Sequence, residues 1–351
     1  MKENFFGFDS VEIDQDGYFL RLIDQTKLPS ELSFLIIKEE EELIDAIKYL
    51  KVRGAPALGI AATSGICVIL KNLKISSLSQ YVGEFERLEK SIVSVRPTAV
   101  NIRNGMKRLR ERLDKSLSQN ETDTCSIHNI LFNEALAIKK EDIEANLKIA
   151  EFGLSLLKPS STILTYCNAG HLAVSRYGTA LAPVYLAKER GINIKVIACE
   201  TRPLLQGARL TSYELMKSGI DVTLICDNMA ATILSKGLVD AVITGCDRIA
   251  SNGDTANKIG TLSLSLAANY YGIPHYIAGP SSTIDPLCSR GEDIVIEERD
   301  SEEITGKYFS REIAPEGVKV FNPAFDVTPS NLISAIITEK GIYRFPFNFK
   351  Q

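Results

Sequence analysis

Along this chain the alternation of apolar and polar positions changes character near residue 160. Before that point it reads as helices. Apolar positions recur at helical spacing through Glu40–Leu50, Ala55–Leu70, Leu78–Ser91 and Pro97–Leu117. Ahead of them, Val11-Glu-Ile, the turn Asp14-Gln-Asp-Gly17 and Tyr18-Phe-Leu-Arg-Leu-Ile predict a β-hairpin. Residues 118–127 form the most polar, turn-rich stretch and are expected to be a loop, followed by a long helix over about 128–156.

From Thr162 short apolar runs take over: Ile163-Leu-Thr, Ile194-Lys-Val-Ile-Ala, Val222-Thr-Leu-Ile, Ala241-Val-Ile-Thr and His275-Tyr-Ile-Ala. Amphipathic stretches separate them, at Tyr177–Glu189, Ala208–Ser218 and Leu262–Tyr270. Strand and helix alternating at this spacing predict a parallel, doubly wound sheet. The expected fold class is therefore α/β, with a C-terminal, mostly parallel, Rossmann-like sheet. A smaller, mainly helical N-terminal domain with a β-hairpin precedes it. The expected division is 1–125 and 126–351, the second domain beginning with the long connector helix. The aromatic tail Tyr343-Arg-Phe-Pro-Phe-Asn-Phe is expected to pack on the body or on a second subunit.

Composition removes several classes of function. The 351 residues carry a net charge of −4, so no global basic field favours nucleic acid or an anionic membrane. Seven cysteines without a C-x-x-C pair do not form a disulfide framework or a standard zinc site. Three dispersed histidines, His128, His171 and His275, argue against a histidine metal site. The amino terminus lacks a signal peptide's apolar core, and Gly54–Leu70 reads as a buried helix, not a membrane span. The expectation is a cytoplasmic, reduced protein. No G-x-G-x-x-G or Walker A sequence follows a strand, so the sheet need not bind NAD or ATP.

Candidate chemistry gathers at residues 240–261. A buried strand breaks at Gly245, the turn Asn252-Gly253-Asp254 follows, and a helical pattern is expected to start near Asn257. Asp247 and Arg248 then fall where strand ends meet helix starts, the usual ligand position in such sheets. Lys258 is expected in the first turn of a helix, where the macrodipole disfavours a cation by a few tenths to about 1 kcal/mol. An anionic ligand would offset that cost; a lysine pointing into water is the competing reading. Arg53-Gly54-Ala55-Pro56 and Arg96-Pro97-Thr98 each place an arginine at an expected helix entrance, read either as a phosphate clamp or as solvated arginines. Cys167, after the first sheet strand, is either a thiol activated by a helix start or an inert buried cysteine. His171 is either a base or a structural histidine. Gln206 is either a ligand for sugar hydroxyls or a helix cap, and Asn228 is open in the same way as a turn residue. Cys167, Cys199, Cys226 and Cys246 end successive strands. A soft-metal site there is the weaker reading, because structural sites use close-spaced ligands.

Arg53-Gly-Ala-Pro, Arg96-Pro-Thr-Ala-Val-Asn, Cys167-Asn-Ala-Gly, Glu200-Thr-Arg-Pro with Gln206-Gly-Ala-Arg-Leu-Thr, and Asp247-Arg-Ile-Ala with Asn257-Lys-Ile-Gly-Thr occur in this order. In combination they closely resemble the S-methyl-5-thioribose-1-phosphate isomerase family of methionine salvage. That family is related to the regulatory alpha, beta and delta subunits of the translation initiation exchange factor. The resemblance runs nearly end to end, through Ile296-Glu-Glu-Arg-Asp and Val320-Phe-Asn-Pro-Ala-Phe-Asp-Val-Thr-Pro. It implies phosphate and sugar contacts at Arg53, Gly54, Ala55, Arg96, Gln206, Asn257 and Lys258, with a catalytic pair at Cys167 and Asp247. It also implies a homodimer, a small sugar phosphate as substrate, and no cofactor or metal. Tyr166 stands where the family commonly has histidine, and Cys246 where it has alanine. Both flank the catalytic pair and bear on the sugar's 5-substituent more than on the reaction type. Isomerases of 5-deoxyribose 1-phosphate or ribose 1,5-bisphosphate, and a non-enzymatic regulatory subunit, are the alternatives.

Overall fold

The computed structural model describes residues 6–97 and 99–349. Two compact units share the chain: one holds Phe6–Glu144 and the short return His171–Arg176, and the other holds Ala145–Gly170 and the chain from Tyr177 on.

In the first unit the expected hairpin is present. β1 (Val11–Ile13) pairs antiparallel with β2 (Leu20–Ile23), with Val11 opposite Leu22, and a third strand, β3 (Phe34–Ile37), extends it. Four helices follow: α1 (Glu40–Lys48), α2 (Ala55–Asn72), α3 (Leu78–Val95) and α4 (Val100–Ser118). Helix α2 is apolar enough to cross a membrane by length and composition. Here it is the core helix of the unit, buried at every position from Ala57 to Leu70. Helix α3 shows the one-sided stripe of a surface helix: Tyr81, Phe85, Leu88 and Ile92 are buried, and Ser77 caps it by accepting from the Gln80 amide at 3.2 Å.

Helix α5 (Thr124–Leu154) starts inside the stretch expected to be a loop, because Asp123 caps it. The Asp123 carboxylate accepts from the amides of Cys125 and Ser126 at 3.3 and 2.9 Å. The expected division ahead of this helix also differs from the observed one, which falls within it between Glu144 and Ala145. The reason is packing: Ile127, Leu131 and Ala135 join the core of the first unit, whereas Ile149, Ala150 and Leu154 join that of the second.

The second unit is built on a seven-stranded sheet in the order β14-β13-β10-β7-β4-β5-β6. Its strands are β4 (Thr162–Thr165), β5 (Lys195–Cys199), β6 (Val222–Ile225), β7 (Ala241–Thr244), β10 (His275–Ala278), β13 (Ala335–Thr338) and β14 (Gly341–Tyr343). All pair in parallel except β14, which is antiparallel to β13. Strand β4 lies mid-sheet. The chain winds from it through β5 to β6, then returns to β7 and winds the other way, so the topological switch point lies between β4 and β7. Apolar layers cover both faces, one with Ile163, Ile243 and Tyr185, the other with Leu164, Val242 and Leu264. The doubly wound, Rossmann-like expectation holds.

A second sheet, β11-β8-β9-β12, was not expected from the apolar pattern. It consists of β8 (Arg248–Ala250), β9 (Thr255–Lys258), β11 (Ile284–Asp285) and β12 (Phe325–Thr328). It corrects the expected helix near Asn257. The Asn252-Gly253 turn, closed by the Asp254 amide on Asn252 Oδ1 at 3.0 Å, sends the chain back as a strand. That strand pairs with β8 (Arg248 opposite Ala256) and β12 (Phe325 opposite Lys258). Lys258 therefore ends a strand, and helix α9 (Thr261–Tyr270) begins three residues later. The macrodipole argument for Lys258 does not apply. The tail packs on the body: Tyr343, Phe347 and Phe349 lie against Ile249, Ile277, Ile333 and Ile336.

Candidate active site

Cys167 lies two residues past the end of β4, and Asp247 three past the end of β7. These strands are neighbours in register, with Ile163 opposite Ala241 and Leu164 opposite Val242. The pair therefore leaves the sheet at its switch point, where diverging connections open a crevice at the carboxyl edge.

Cys167 holds a left-handed backbone, φ 62°, which costs a residue bearing a Cβ about 1–2 kcal/mol. Its amide donates to Thr201 Oγ1 at 2.8 Å, and its carbonyl accepts from Thr211 Oγ1 at 2.6 Å. Asn168 continues this polar layer, donating from Nδ2 to Thr211 Oγ1 at 3.2 Å and to the buried Glu214. Asp247 is set by the small sheet, its amide donating to the Ala256 carbonyl at 2.9 Å.

Lys258 reaches the same place from β9. Burial pulls its ammonium below the ordinary lysine range, while negative charge at Cys167 and Asp247 pushes the other way. One cation therefore feels both members of the pair. Its Nζ also stands 4.7 Å above the Phe325 ring. Asn257, one residue earlier, is buried and donates from Nδ2 to Thr261 Oγ1 at 2.9 Å.

Gln206 enters a π-helical turn, Gly207–Thr211, that precedes α7 (Ser212–Lys217). Its side chain makes no capping bond there. Its buried Oε1 has no partner among the described residues. A buried acceptor left unbonded costs about 1–3 kcal/mol, and donors on a ligand would remove that cost. This favours the ligand-binding reading of Gln206 over the capping one.

Arg248 does not compete with Asp247 for its neighbours. Its guanidinium forks onto Asp285, with Nε at 3.0 Å, and holds that carboxyl below the usual range.

Arg53, Gly54, Ala55 and Arg96 belong to the first unit. Gly54 caps α2 at φ 95°, and an added Cβ would lie 2.1 Å from the Ala173 carbonyl oxygen, so the return segment already requires glycine there. Ala55 and Pro56 open the helix. Arg96 is corrected. It caps the carboxyl end of α3, and α4 does not begin until Val100. Thr98 lies outside the described residues.

His171 is buried, stacked on Phe6 at 4.5 Å, and burial pulls it down to about 4, so it stays neutral. The four strand-end cysteines do sit on adjacent strands in the order Cys226, Cys199, Cys167, Cys246. Among the described residues, however, no three His, Cys, Asp or Glu side chains converge as metal ligands. Burial raises the Cys199 and Cys246 thiols well above their ordinary range.

Sequence reasoning missed Thr201, Thr211, Asp227 and Asp326. The Asp326 carboxylate accepts from the amides of Gly260 at 2.7 Å and Leu262 at 3.1 Å, tying β12 to the start of α9. Burial raises it to about 6. None of the four stands out by type or spacing in the linear chain.

The initiation factor 2 subunit family model matches residues 51–344. A methylthioribose-1-phosphate isomerase of Symbiobacterium thermophilum is 52% identical, over 97% of this chain and 94% of its own. A 5-deoxyribose 1-phosphate isomerase of Petrotoga mobilis is 53% identical, over 96% of each chain. The crystal structure of 5-methylthioribose 1-phosphate isomerase from Pyrococcus horikoshii is similar at a TM-score of 0.90 and 39% identity, covering 97% of this chain and 93% of that one. The family model and the identity over nearly the whole chain agree: the chain belongs to the initiation factor 2 subunit family, among relatives named as isomerases of pentose 1-phosphates.

Proposed function

We propose that this chain converts an aldose 1-phosphate to the ketose 1-phosphate, with 5-methylthioribose 1-phosphate, in methionine salvage, as its substrate. What supports the reading is that Cys167 and Asp247 follow neighbouring strands, β4 and β7, at the switch point of the sheet, and that negative charge at both bears on the ammonium of Lys258. A substrate phosphorylated on its anomeric oxygen cannot open spontaneously to a free aldehyde. A group must protonate the ring oxygen, and Asp247 is the acid. Hydrogen then moves from C2 to C1. In the enolate route the Cys167 thiolate takes the C2 proton and Asp247 manages the oxygen protons. In the hydride route C2–H shifts directly to the oxocarbenium carbon, and Cys167 shapes and shields the site.

Gln206, Asn257 and Lys258 bind the sugar phosphate in this reading, together with Arg53, Gly54, Ala55 and Arg96. Binding energy spent on the phosphate serves orientation of the reacting carbons. The reaction needs no cofactor. The protein acts as a cytoplasmic homodimer without nucleic-acid or membrane partners.

The 5-substituent is the open variable, and relatives of near-equal identity carry the methylthioribose and 5-deoxyribose names. The deciding assay compares kcat/KM on 5-methylthioribose, 5-deoxyribose and ribose 1-phosphates and on ribose 1,5-bisphosphate. A preference for the first of at least tenfold is expected; preference for another reassigns the substrate. Turnover of none, with tight binding to a larger partner, returns the protein to a regulatory-subunit role. Deuterium at C2 separates the routes: loss to solvent selects the enolate, and complete retention at C1 rules it out.

A further inference from the structure

We infer that Thr201 and Asp227 are positioning residues for Cys167, acting through its backbone; this rests on the proposed role of Cys167 in the reaction. A left-handed conformation at a non-glycine residue persists only where its surroundings over-determine it. At Cys167 the surroundings form a chain of hydrogen bonds across three neighbouring strand ends.

The Thr201 hydroxyl donates its single proton to the Cys199 carbonyl at 3.1 Å, so its lone pairs are left to accept from the Cys167 amide at 2.8 Å. Thr201 is itself left-handed, φ 66°, and fully buried. Its amide donates to Asp227 Oδ1 at 2.8 Å, and the next amide, of Arg202, donates to Asp227 Oδ2 at 2.7 Å. The chain of hydrogen bonds thus runs from Cys167 to Thr201 and on to Asp227. On the other side of the same residue, Thr211 Oγ1 donates to the Cys167 carbonyl at 2.6 Å.

The direction in which Sγ leaves the backbone depends on φ. If the Cys167 amide loses its acceptor, the residue relaxes toward negative φ and the thiol swings away from where it was held. Asp227 anchors the segment that carries the acceptor, so its effect on Cys167 is indirect and smaller.

The test uses the full-length chain with Thr201→Val, Thr201→Ser, Asp227→Asn and Cys167→Ser. Three quantities are read: the rate of iodoacetamide alkylation at Cys167 without substrate, by peptide mass spectrometry, and kcat and KM on 5-methylthioribose 1-phosphate. Thr201→Val should lower kcat tenfold to a hundredfold, leave KM within twofold, and change the alkylation rate at least threefold. Thr201→Ser, which keeps the acceptor, should restore both. Asp227→Asn should lower kcat threefold to tenfold and change alkylation in the same direction; it carries the test if Thr201→Val does not fold. Wild-type kcat and alkylation in Thr201→Val or, where that variant does not fold, in Asp227→Asn would overturn the positioning role, as would a rise in KM alone. Wild-type turnover by Cys167→Ser would instead remove Cys167 from the reaction, while the alkylation rates still decide whether its backbone is held.

Discussion

Two buried polar clusters lie on the second unit's main sheet and differ in one respect. Around His275 both ring nitrogens are matched: Nε2 meets Thr244 Oγ1 at 3.0 Å and Nδ1 meets Ser265 Oγ at 2.9 Å. Burial holds this imidazole at about 4, neutral at physiological pH. Among the candidate site residues the polar capacity is not used up. Gln206 Oε1 has no partner among the described residues, Lys258 is a partly buried cation, and Cys167 holds a left-handed backbone. A saturated cluster stabilises the fold, whereas one that retains costs points to a ligand or a reaction that offsets them.

Changes in each cluster should therefore separate function from stability. Lys258→Met should lower kcat/KM about tenfold to a hundredfold, the range expected for a hydrogen bond to a charged group. Its melting temperature should stay level or rise, because a desolvated ammonium is removed. A large fall in melting temperature with unchanged kcat/KM would reverse the assignment. His275→Ala should do the opposite, losing about 2–4 kcal/mol through a cavity and two orphaned hydroxyls while kcat per folded molecule stays near wild type. Chemical denaturation with activity normalised to folded protein checks it.

Gln206→Leu should raise KM up to about tenfold and raise the melting temperature slightly, since an unbonded buried acceptor disappears. Unchanged KM would assign its oxygen to some other role. Asp326 has the smallest effect and a definite sign. Its folded-state value, about 6, lies above the ordinary 3.8, so the folded protein binds this proton more tightly. The group therefore favours folding progressively more as pH falls from above 6 toward 3.8, and that contribution is lost as pH rises through about 6. Asp326→Asn lacks the dependence. Between pH 7.5 and 5, the wild type should gain melting temperature relative to the variant, by a few degrees at most.

The same contrast explains what was legible in the linear chain. Helices α2 and α3 and strands β4 to β7 were read because burial selects apolar residues at a fixed period. The small sheet was not, because Arg248–Ala250 and Thr255–Lys258 are short and polar, and their pairing depends on β12, far along the chain. Lys258 is expected in the first turn of a helix and instead ends β9, where burial lowers its ammonium and negative charge at Cys167 and Asp247 opposes that. Arg96 was displaced for a related reason, since Pro97 marks a helix end there. Thr201 and Asp227 had no signal, because a backbone-holding hydroxyl or carboxylate is defined only by what folds against it.

The central claim is that Asp247, just past β7 at the switch point, supplies the proton that opens a phosphate-locked sugar ring. Asp247→Asn keeps the shape and removes the acid, so its turnover of 5-methylthioribose 1-phosphate is the most direct measurement. The account predicts a fall in kcat of about a thousandfold or more, with melting temperature and substrate binding close to wild type. Wild-type turnover by that variant would contradict it.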